Sequence, residues 1–474
     1  MDIACSNDEL ALFNKIATAA NQLQLSCYLI GGFVRNKLLN RPCKDVDIVC
    51  TGDGIALAHQ VANSISPKLK VSFFKNFGTA HFKHHDVDVE FVGARKESYS
   101  EHSRKPQVSE GTIEEDQLRR DFTINALAIS LNQQDFGKLI DPFNGLADLN
   151  NKIIRTPLDP SITFSDDPLR MMRAIRFATQ LNFTIVPRVF EAITINKGRL
   201  KIVSQERITD ELNKIMNCPK PSIGLDLLYR SGLLKEFFPQ LTDLVGVEFI
   251  EGKGHKDNFY HTLQVVDNVA TKSNNLWLRW AALLHDIGKA PTKKFEEGHG
   301  WTFHGHEVVG ERMTAKIFRQ LKLPQHEAMK YVAKLVALHL RPISLTKDDI
   351  TDAAMRRLLF DAGEQLEDLM MLCESDITSK NKQKVERYLA NFELVKERLK
   401  IVEEKDKIRN WQPPITGEII MHVFAIPPSR EVGNIKTAVR EAILDGIVEN
   451  NYESAYAYML QTAAALGLTP KAHE

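Results

Sequence analysis

The chain has 474 residues, 43% of them hydrophobic, and carries 61 basic and 61 acidic side chains. This composition is typical of a folded protein with roughly two to four domains. It excludes disordered, collagen-like and disulfide-scaffold classes and a globally basic nucleic-acid binder. The sequence has no apolar run of ~18 residues, no basic N-terminal leader and no CxxC pair among its six cysteines, which predicts a reduced, cytoplasmic protein without a membrane segment.

The first 150 residues combine strand and helix patterns. A buried strand is predicted at CYLIGG (27–32), a helix at FVRNKLL (33–39), and alternating strands at DVDIVC (45–50) and DVDVEFVGA (86–94). The polar segment 94–117 is too long for an ordinary connection, which predicts a functional or disordered loop. From about residue 160 the patterns are amphipathic and helical up to the C-terminus.

Paired carboxylates lie close to two glycines in this first part of the chain. Asp45 and Asp47 are two apart in a predicted strand, so both side chains point to one face. Carboxylates are the hard oxygen ligands that Mg²⁺ prefers. Gly31 and Gly32 precede a helix, where a phosphate can approach the backbone. Asp86, Asp88 and Glu90 alternate onto one face of the next predicted strand, and any of them is a candidate third acid. The alternative is a polar strand face without a metal.

An acid and a base are paired at the start of a later predicted helix, in SDDPLRMMR. Pro168 suits the first helical turn, with Asp166 or Asp167 as N-cap. Asp167 and Arg170 are three apart and share a face. The carboxylate can accept from the amino group of cytosine or adenine while the guanidinium donates to the ring nitrogen, whereas guanine and uracil present the reverse pattern. The alternative is a capping aspartate with a surface ion pair.

Five segments in order resemble the bacterial/eukaryotic type of CCA-adding enzyme, the tRNA nucleotidyltransferases, whose motifs are shared by related poly(A) polymerases. They are IGGFVRNKLLNRPCKDVDIV (30–49), RRDFTINALA (119–128), DPFNGLADLNNKIIRT (141–156), DDPLRMMRAIRFA (166–178) and SQERITDEL (204–212). The resemblance implies an α+β head with a palm-like mixed sheet, followed by all-α domains.

The same resemblance implies a role for each matching residue. Asp45, Asp47 and Glu90 would be catalytic, with the two aspartates holding Mg²⁺. The nucleotide would be bound by Gly31, Gly32, Arg35, Arg120, Asp121, Asn125, Asp167, Arg170, Arg173 and Arg176. Helix capping by Asn125 and by Thr123 is an equally weighted alternative.

A second metal site is indicated in the helical part, where WLRWAALLHDIGK (277–289) resembles the HD superfamily of metal-dependent phosphohydrolases. The implied ligands, in chain order, are His261, His285, Asp286, His306, His339 and Asp376. Imidazole suits a divalent transition metal, whose identity stays open. Each histidine alone is more often structural than ligating, and His255 and His304 rank lower as candidates.

The sequence therefore predicts an enzyme that adds or repairs the 3′-terminal CCA of tRNA with CTP and ATP. Members of the resembled family that add the terminal A keep a flexible loop at this place, and members restricted to CC addition have a shortened one. The resemblance therefore implies full CCA addition for this chain, which retains segment 94–117 with Arg95, Glu97 and the acids at 114–116. Ten Lys/Arg against four Asp/Glu in residues 168–220, and ten against six in residues 378–411, suit phosphates of the tRNA acceptor arm. Similar HD fusions process 2′,3′-cyclic phosphates or 2′-phosphates, whereas an inert HD domain would serve as a tRNA-binding wall.

The predicted domains are a catalytic nucleotidyltransferase head at 1–150, a helical nucleotide-recognition neck at 151–250, an HD domain at 251–400 and a C-terminal helical region at 401–474. This last region is either a tRNA-binding tail or the completion of the HD helical bundle. Neither an oligomeric state nor a membrane partner is predicted. The main competing interpretation is a poly(A) polymerase that uses ATP only. A protein-modifying nucleotidyltransferase with an HD domain would be longer, and a non-catalytic RNA-binding module would not retain both aspartates.

Overall fold

A computed structural model describes residues 1–75, 78–100, 103–250, 253–345, 351–379, 381–406, 408 and 411–471. Within these residues the chain divides into two compact units, Met1–Thr242 and Asp243–Glu474. The described helices include none that is both long enough and apolar enough to cross a membrane. The bounds of the four predicted domains stay predictions.

The first unit is built on a seven-stranded mixed sheet with the strand order β3-β4-β5-β2-β1-β8-β9. Strands β6 and β7 pair as a separate ribbon, and β10 pairs with β11 in parallel. The strands of this unit are β1 (Cys27–Ile30), β2 (Asp45–Cys50), β3 (Ser72–Phe74), β4 (Thr79–His84), β5 (Val87–Gly93), β6 (Arg95–Ser100), β7 (Ser103–Glu110), β8 (Ala128–Ser130), β9 (Leu139–Ile140), β10 (Ile153–Ile154) and β11 (Thr184–Ile185).

The register of the central strands decides which side chains meet. β2 runs parallel to β5, with Asp47 opposite Glu90 and Asp45 opposite Asp88. β1 runs antiparallel to β2, and Ile30, the last residue before the glycines, lies opposite Asp47. The sheet thus carries the glycine turn and the acidic residues to one place, because paired positions on adjacent strands point to the same face.

The helices of the first unit cover the sheet and then form a helical layer of their own. Helix α1 begins with a capping box, in which Ser6 and Glu9 satisfy each other's backbone N–H groups. Helix α7 is buried along most of its length and packs against α9 and α10. These helices are α1 (Asn7–Gln22), α2 (Gly32–Leu38), α3 (Gly54–Ile65), α4 (Ile113–Leu118), α5 (Gly145–Asn150), α6 (Pro160–Asp166), α7 (Leu169–Leu181), α8 (Pro187–Asn196), α9 (Gln205–Met216), α10 (Pro221–Arg230), α11 (Leu233–Phe237) and α12 (Pro239–Thr242).

The second unit is helical, with two short ribbons formed by β12 (Phe249–Ile250) with β13 (Lys253–Gly254) and by β14 (Lys294–Glu296) with β15 (Gly300–Thr302). Its C-terminal helices enclose a hydrophobic core that includes Ile420, Ile435, Val439 and Met459. The helices are α13 (Asn258–Lys272), α14 (Leu276–Leu284), α15 (Lys289–Thr292), α16 (His306–Gln320), α17 (Glu327–Leu338), α18 (Arg341–Ser344), α19 (Asp352–Ala362), α20 (Leu366–Ser375), α21 (Lys382–Asp406), α22 (Gly417–Phe424), α23 (Arg430–Leu444) and α24 (Tyr452–Ala465).

The predicted fold class, a mixed-sheet head followed by helical domains, is confirmed. The prediction of a loop at 94–117 is wrong, because most of this segment is the β6–β7 ribbon followed by α4. A polar segment can still pair as two strands, because backbone hydrogen bonds hold such a ribbon together. Residues 101 and 102 and the side chain of Glu97 lie outside the described part of the chain.

Candidate functional site

The turn between β1 and α2 is shaped by Gly31, whose φ of 75° and ψ of −132° favour glycine. Its N–H donates to the carbonyl oxygen of Leu127 on the neighbouring segment at 3.2 Å. A Cβ at this position would lie 3.1 Å from Nη1 of Arg120 and 3.4 Å from Oδ2 of Asp47. The turn, the carboxylate and the arginine therefore converge so closely that a side chain at position 31 would press on both charged groups.

Four carboxylates, those of Asp45, Asp47, Asp88 and Glu90, share the sheet face next to this turn. Asp45 and Glu90 are exposed and Asp47 is half-buried between them. Burial raises the pKa of Asp47 to about 6, with Glu90 and Asp45 adding to the increase and Arg120 opposing it. A divalent cation would offset this crowding of negative charge, and oxygen ligands suit Mg²⁺. The residues present therefore fit such an ion.

Two of the arginines predicted to bind the nucleotide, Arg35 and Arg173, are linked by a network of side-chain hydrogen bonds. Nη1 of Arg35 donates to Oδ1 of Asn125 at 2.6 Å, and Nδ2 of Asn125 donates to Oδ1 of Asp121 at 2.9 Å. Nε of Arg173 donates to the other oxygen of Asp121 at 2.7 Å. Burial alone would raise the pKa of Asp121. The charge of Arg173 and the hydrogen bond from Asn125 outweigh this effect and lower the pKa to about 2. Asn125 thus belongs to this network of hydrogen bonds and is not a helix cap.

Thr123, the other residue for which capping was considered, donates its hydroxyl to Oδ2 of Asp148 at 2.7 Å. The short 3₁₀ segment that contains it, Thr123–Asn125, is preceded by Phe122, whose side chain supplies no cap. The hydroxyl of Thr123 therefore fixes the position of this segment against α5.

The start of α7 differs in detail from the prediction. Asp166 ends α6, Asp167 lies between the two helices, and Pro168 occupies the N-cap of α7. Oδ1 of Asp167 accepts from the N–H of Leu169 at 3.2 Å, and Nη2 of Arg170 donates to the carbonyl oxygen of Arg119 at 2.7 Å. Both polar side chains are half-buried at the start of the helix.

Two residues of this region were missed by the sequence reasoning. Asp116 is fully buried and holds Arg119 at 2.5 Å and Arg120 at 3.1 Å. Its spacing of three and four residues from these arginines was a usable helix signal. The ring of Phe177 was the second omission.

Phe177 lies among three of the predicted nucleotide-binding arginines. The guanidinium carbons of Arg35, Arg173 and Arg176 lie 4.8, 5.4 and 3.9 Å from its ring centre. Arg176 also pairs with the buried carboxylate of Glu211 at 2.5 Å. The ring attracts each cation electrostatically and so tolerates like charges that would repel one another.

In the second unit, the predicted ligands His261, His285, Asp286, His306, His339 and Asp376 come together. His261, His285 and Asp286 form one group, and Asp286, His306 and His339 form another, each with ligand atoms within 4.8 Å of one another. Oδ1 of Asp376 lies 2.8 Å from Nε2 of His261 and 3.4 Å from Nε2 of His285. Asp286 is therefore shared by two adjacent groups, which fits one or two metal ions.

Hydrogen bonds from three of these histidines indicate which ring nitrogen is left for a metal. Nδ1 of His285, His306 and His339 lies 2.7, 2.9 and 2.7 Å from the backbone carbonyl oxygen three residues earlier. Such an oxygen accepts the Nδ1 proton and leaves the lone pair of Nε2 available to a metal. Burial, with nearby His285, lowers the pKa of His339 to about 4. This imidazole is therefore neutral at pH 7.

One ligand atom lacks a protein partner of suitable geometry. Nε2 of His285 is buried and makes no hydrogen bond with the described residues, although oxygens of Asp286 and Asp376 lie 3.3 and 3.4 Å away. Buried polar atoms rarely lack a hydrogen-bond partner, and a metal ion bound by Nε2 of His285 would supply the missing interaction. The donor set therefore fits a divalent transition metal.

Gly288, which was not predicted, allows the close approach that builds this centre. A Cβ there would collide with the carbonyl oxygen of His306. Of the lower-ranked histidines, His304 keeps 83% of its side chain exposed, and Nδ1 of His255 lies 2.7 Å from the carbonyl oxygen of Lys256. Neither belongs to the ligand groups.

The chain matches three family models: the poly A polymerase head domain over residues 27–155, the probable RNA and SrmB-binding site of polymerase A over residues 182–244, and the HD domain over residues 258–381. It is 32% identical over 375 residues to the multifunctional CCA protein of Shewanella frigidimarina, covering 74% of this chain and 84% of that protein. It is also 32% identical over 339 residues to the A-adding tRNA nucleotidyltransferase of Deinococcus radiodurans, covering 70% and 75% of the two chains.

A similar fold is found in the crystal structure of the Bacillus stearothermophilus CCA-adding enzyme in complex with CTP. The match has a TM-score of 0.66 at 24% identity and covers 98% of this chain and 99% of that one. The sequence similarity covers most of the length of these two relatives. The segments that match the family models include the glycine turn, the acidic strands and the cluster of histidines. The chain therefore belongs to the tRNA nucleotidyltransferase and poly(A) polymerase family of enzymes, and it carries an HD domain.

Proposed function

We propose that the first unit completes or repairs the 3′-terminal CCA of tRNA by adding nucleotides from CTP and ATP. The observation that carries this proposal is the register of β2 with β5, which sets Asp47 opposite Glu90 beside the Gly31 turn. The relatives named as CCA and A-adding proteins support the tRNA substrate.

The residues of this site divide the work between phosphate and base. Two Mg²⁺ ions held by Asp45 and Asp47 would activate the tRNA 3′-hydroxyl and stabilise the leaving pyrophosphate. Arg35 and Arg173, held in place through Asn125 and Asp121, would contact the triphosphate. The half-buried Asp167 and Arg170 would select cytosine and adenine.

The experiment that tests this proposal is nucleotide incorporation into tRNAs that end before the CCA, after the first C and after both Cs. Purified protein with Mg²⁺ receives each labelled nucleoside triphosphate singly and in pairs, and products are sized on a sequencing gel. We expect two C additions followed by one A, with no use of GTP or UTP. Asp47→Asn should abolish incorporation. The matched control Asp86→Asn, at an exposed acid outside the strand, should not.

A second candidate function is addition of the terminal A alone, which is favoured by the name of the Deinococcus radiodurans relative. That function predicts A incorporation only into tRNA that already ends in CC. A long ladder made from ATP alone would instead identify a poly(A) polymerase. The three tRNA substrates separate these results in one gel.

For the second unit we propose a metal-dependent phosphohydrolase that acts on RNA 3′ ends bearing 2′,3′-cyclic phosphates or 2′-phosphates. The six ligands and the unpartnered Nε2 of buried His285 support it. The test is metal content together with hydrolysis of tRNA carrying a 2′,3′-cyclic phosphate, in each of several divalent metals. His306→Asn should lose metal and activity, whereas His304→Asn, two residues away and exposed, should keep both. If the protein binds metal but hydrolyses none of these substrates, the HD domain would instead be an inert surface that contacts tRNA.

We also propose that basic side chains contact phosphates of the tRNA acceptor arm. Lys201, Arg207 and Lys220 are exposed within or near the segment that matches an RNA-binding family model. Phosphate contacts release counterions, so tRNA affinity should fall steeply as salt rises. Filter binding at several salt concentrations measures that slope. The neck at 151–250 is the proposed nucleotide-recognition domain, and the region at 401–474 is the proposed tRNA-binding tail.

A further inference from the structure

A cavity of about 740 Å³ adjoins the candidate metal centre of the second unit. His261 and Asp376 line it and also belong to the ligand set, so a bound molecule could extend from the cavity to the metal. Its volume lies within the range of about 300–1,000 Å³ that is usual for small-molecule sites. The cavity is therefore placed and sized for the part of a substrate that is not hydrolysed.

The wall of this cavity carries aromatic rings next to amino groups. Tyr260 on α13 and Tyr388 on α21 both line it, and Tyr260 is 47% exposed. Lys256 and Lys384 are exposed at the same wall, and Nζ of Lys384 lies 5.7 Å from the ring centre of Tyr388. Exposed aromatic rings stack on bases, and ammonium groups neutralise phosphates.

Thr378 connects this wall to the metal ligands. Nζ of Lys256 donates to its hydroxyl oxygen at 3.0 Å, and the same oxygen lies 2.8 Å from Nδ1 of His261. A phosphate that reaches the metal would therefore pass beside Lys256.

We infer that this cavity binds the nucleoside phosphate at the end of the HD substrate, with Tyr260 and Tyr388 stacking on the base and Lys256 and Lys384 contacting the phosphate. The inference rests on the proposed phosphohydrolase function. The ligand chemistry is a nucleoside carrying a terminal phosphate, which is found both in free mononucleotides and at RNA 3′ ends.

The test uses the full-length protein and compares Tyr388→Ala, Tyr388→Phe and Lys384→Glu with the matched control Lys405→Glu at the other end of α21, away from the cavity. Isothermal titration calorimetry in EDTA measures binding of adenosine 2′-monophosphate and of inorganic phosphate. Steady-state kinetics with added metal measure hydrolysis of 2′,3′-cyclic AMP and of tRNA ending in a 2′,3′-cyclic phosphate.

We expect Tyr388→Ala to weaken mononucleotide binding roughly 5- to 100-fold and to raise KM by a similar factor, because a stacked base is lost. Tyr388→Phe keeps the ring and should stay close to the wild type. Lys384→Glu should weaken binding of both the nucleotide and inorganic phosphate, and Lys405→Glu should change neither. If only the KM for tRNA rises, the RNA end is the ligand; if both KM values rise, a free nucleotide suffices.

Unchanged Kd and KM in both Tyr388→Ala and Lys384→Glu would overturn the inference. Failure of the proposed hydrolysis gives a different result. In that case the wild type hydrolyses neither substrate with any metal, yet still binds the mononucleotide in EDTA and loses that binding in Tyr388→Ala.

Discussion

The glycine turn offers a sharp test of the site geometry, because two adjacent glycines differ in what they require. Gly31 has a φ of 75° and a ψ of −132°, and an alanine there would be strained by about 1–3 kcal/mol. Its Cβ would also lie 3.1 Å from the Arg120 guanidinium. Gly32 begins α2, and its Cβ would meet only Nη2 of Arg35 at an ordinary 3.7 Å. Gly32→Ala should therefore be neutral or stabilising by up to about 1 kcal/mol.

For a unit the size of Met1–Thr242, each kcal/mol of lost stability lowers Tm by about 2–4 °C. A cost of about 1–3 kcal/mol for Gly31→Ala therefore corresponds to a fall in Tm of roughly 2–12 °C. All four tryptophans lie in the second unit, so tryptophan fluorescence follows that unit while far-UV circular dichroism follows both. We expect Gly31→Ala to lower the circular dichroism transition of the first unit and leave the tryptophan transition unchanged. Equal shifts in the Gly31→Ala and Gly32→Ala variants would refute the reasoning.

Charge, packing and metal binding lead to four more expected outcomes. Burial raises the pKa of Asp121 but its arginine partner lowers it to about 2, so Asp121→Asn should cost about 2 kcal/mol at pH 7 in urea unfolding. That cost should disappear as the pH falls from about 4 to about 2, and a cost independent of pH would contradict the ion pair. Glu211→Gln leaves a buried arginine unpaired and should lower the free energy of unfolding by about 3 kcal/mol, whereas a loss below about 1 kcal/mol would mean that water reaches the pair. Phe177→Leu should raise the KM for CTP and ATP about fivefold with less effect on kcat, because the arginines around the ring lose their common support; steady-state incorporation with an unchanged KM would exclude this role. Chelation should lower the Tm of the tryptophan transition, and added metal should restore it in the wild type but not in His285→Asn; calorimetry with identical traces for the two proteins would argue against a metal there.

Local periodicity allowed much of the first unit to be predicted. A strand period of two is enough to put Asp45 and Asp47 on one face, and the spacing between Gly31 and these acids is short. The partner strand is not encoded locally. Asp86, Asp88 and Glu90 alternate in the same pattern. Only the pairing of β2 with β5 sets Glu90 opposite Asp47.

Contacts between distant segments account for most of what the sequence did not reveal. Phe177 and Glu211 look like ordinary helix residues until α7 and α9 pack together and bring Arg176 between them. Asp116 falls among the acids of a segment that the sequence predicts as a loop, although it lies on α4 and is completely buried. Burial of a charged residue depends on which elements cover it, which a single sequence does not state.

Two groups of charged side chains flank the glycine turn of the first unit, arginines that include Arg35 and carboxylates that include Asp47. Burial lowers the pKa of Arg35 to about 10, with Asp121 opposing the change and Arg176 adding to it. Across the glycine turn, burial and neighbouring acids raise the pKa of Asp47 to about 6. A cluster of guanidinium groups is best neutralised by phosphates, and a cluster of carboxylates by metal ions. A nucleoside triphosphate with its bound Mg²⁺ supplies both charges in one ligand, so the same molecule that the proposed reaction consumes would relieve the strain on each side of the turn.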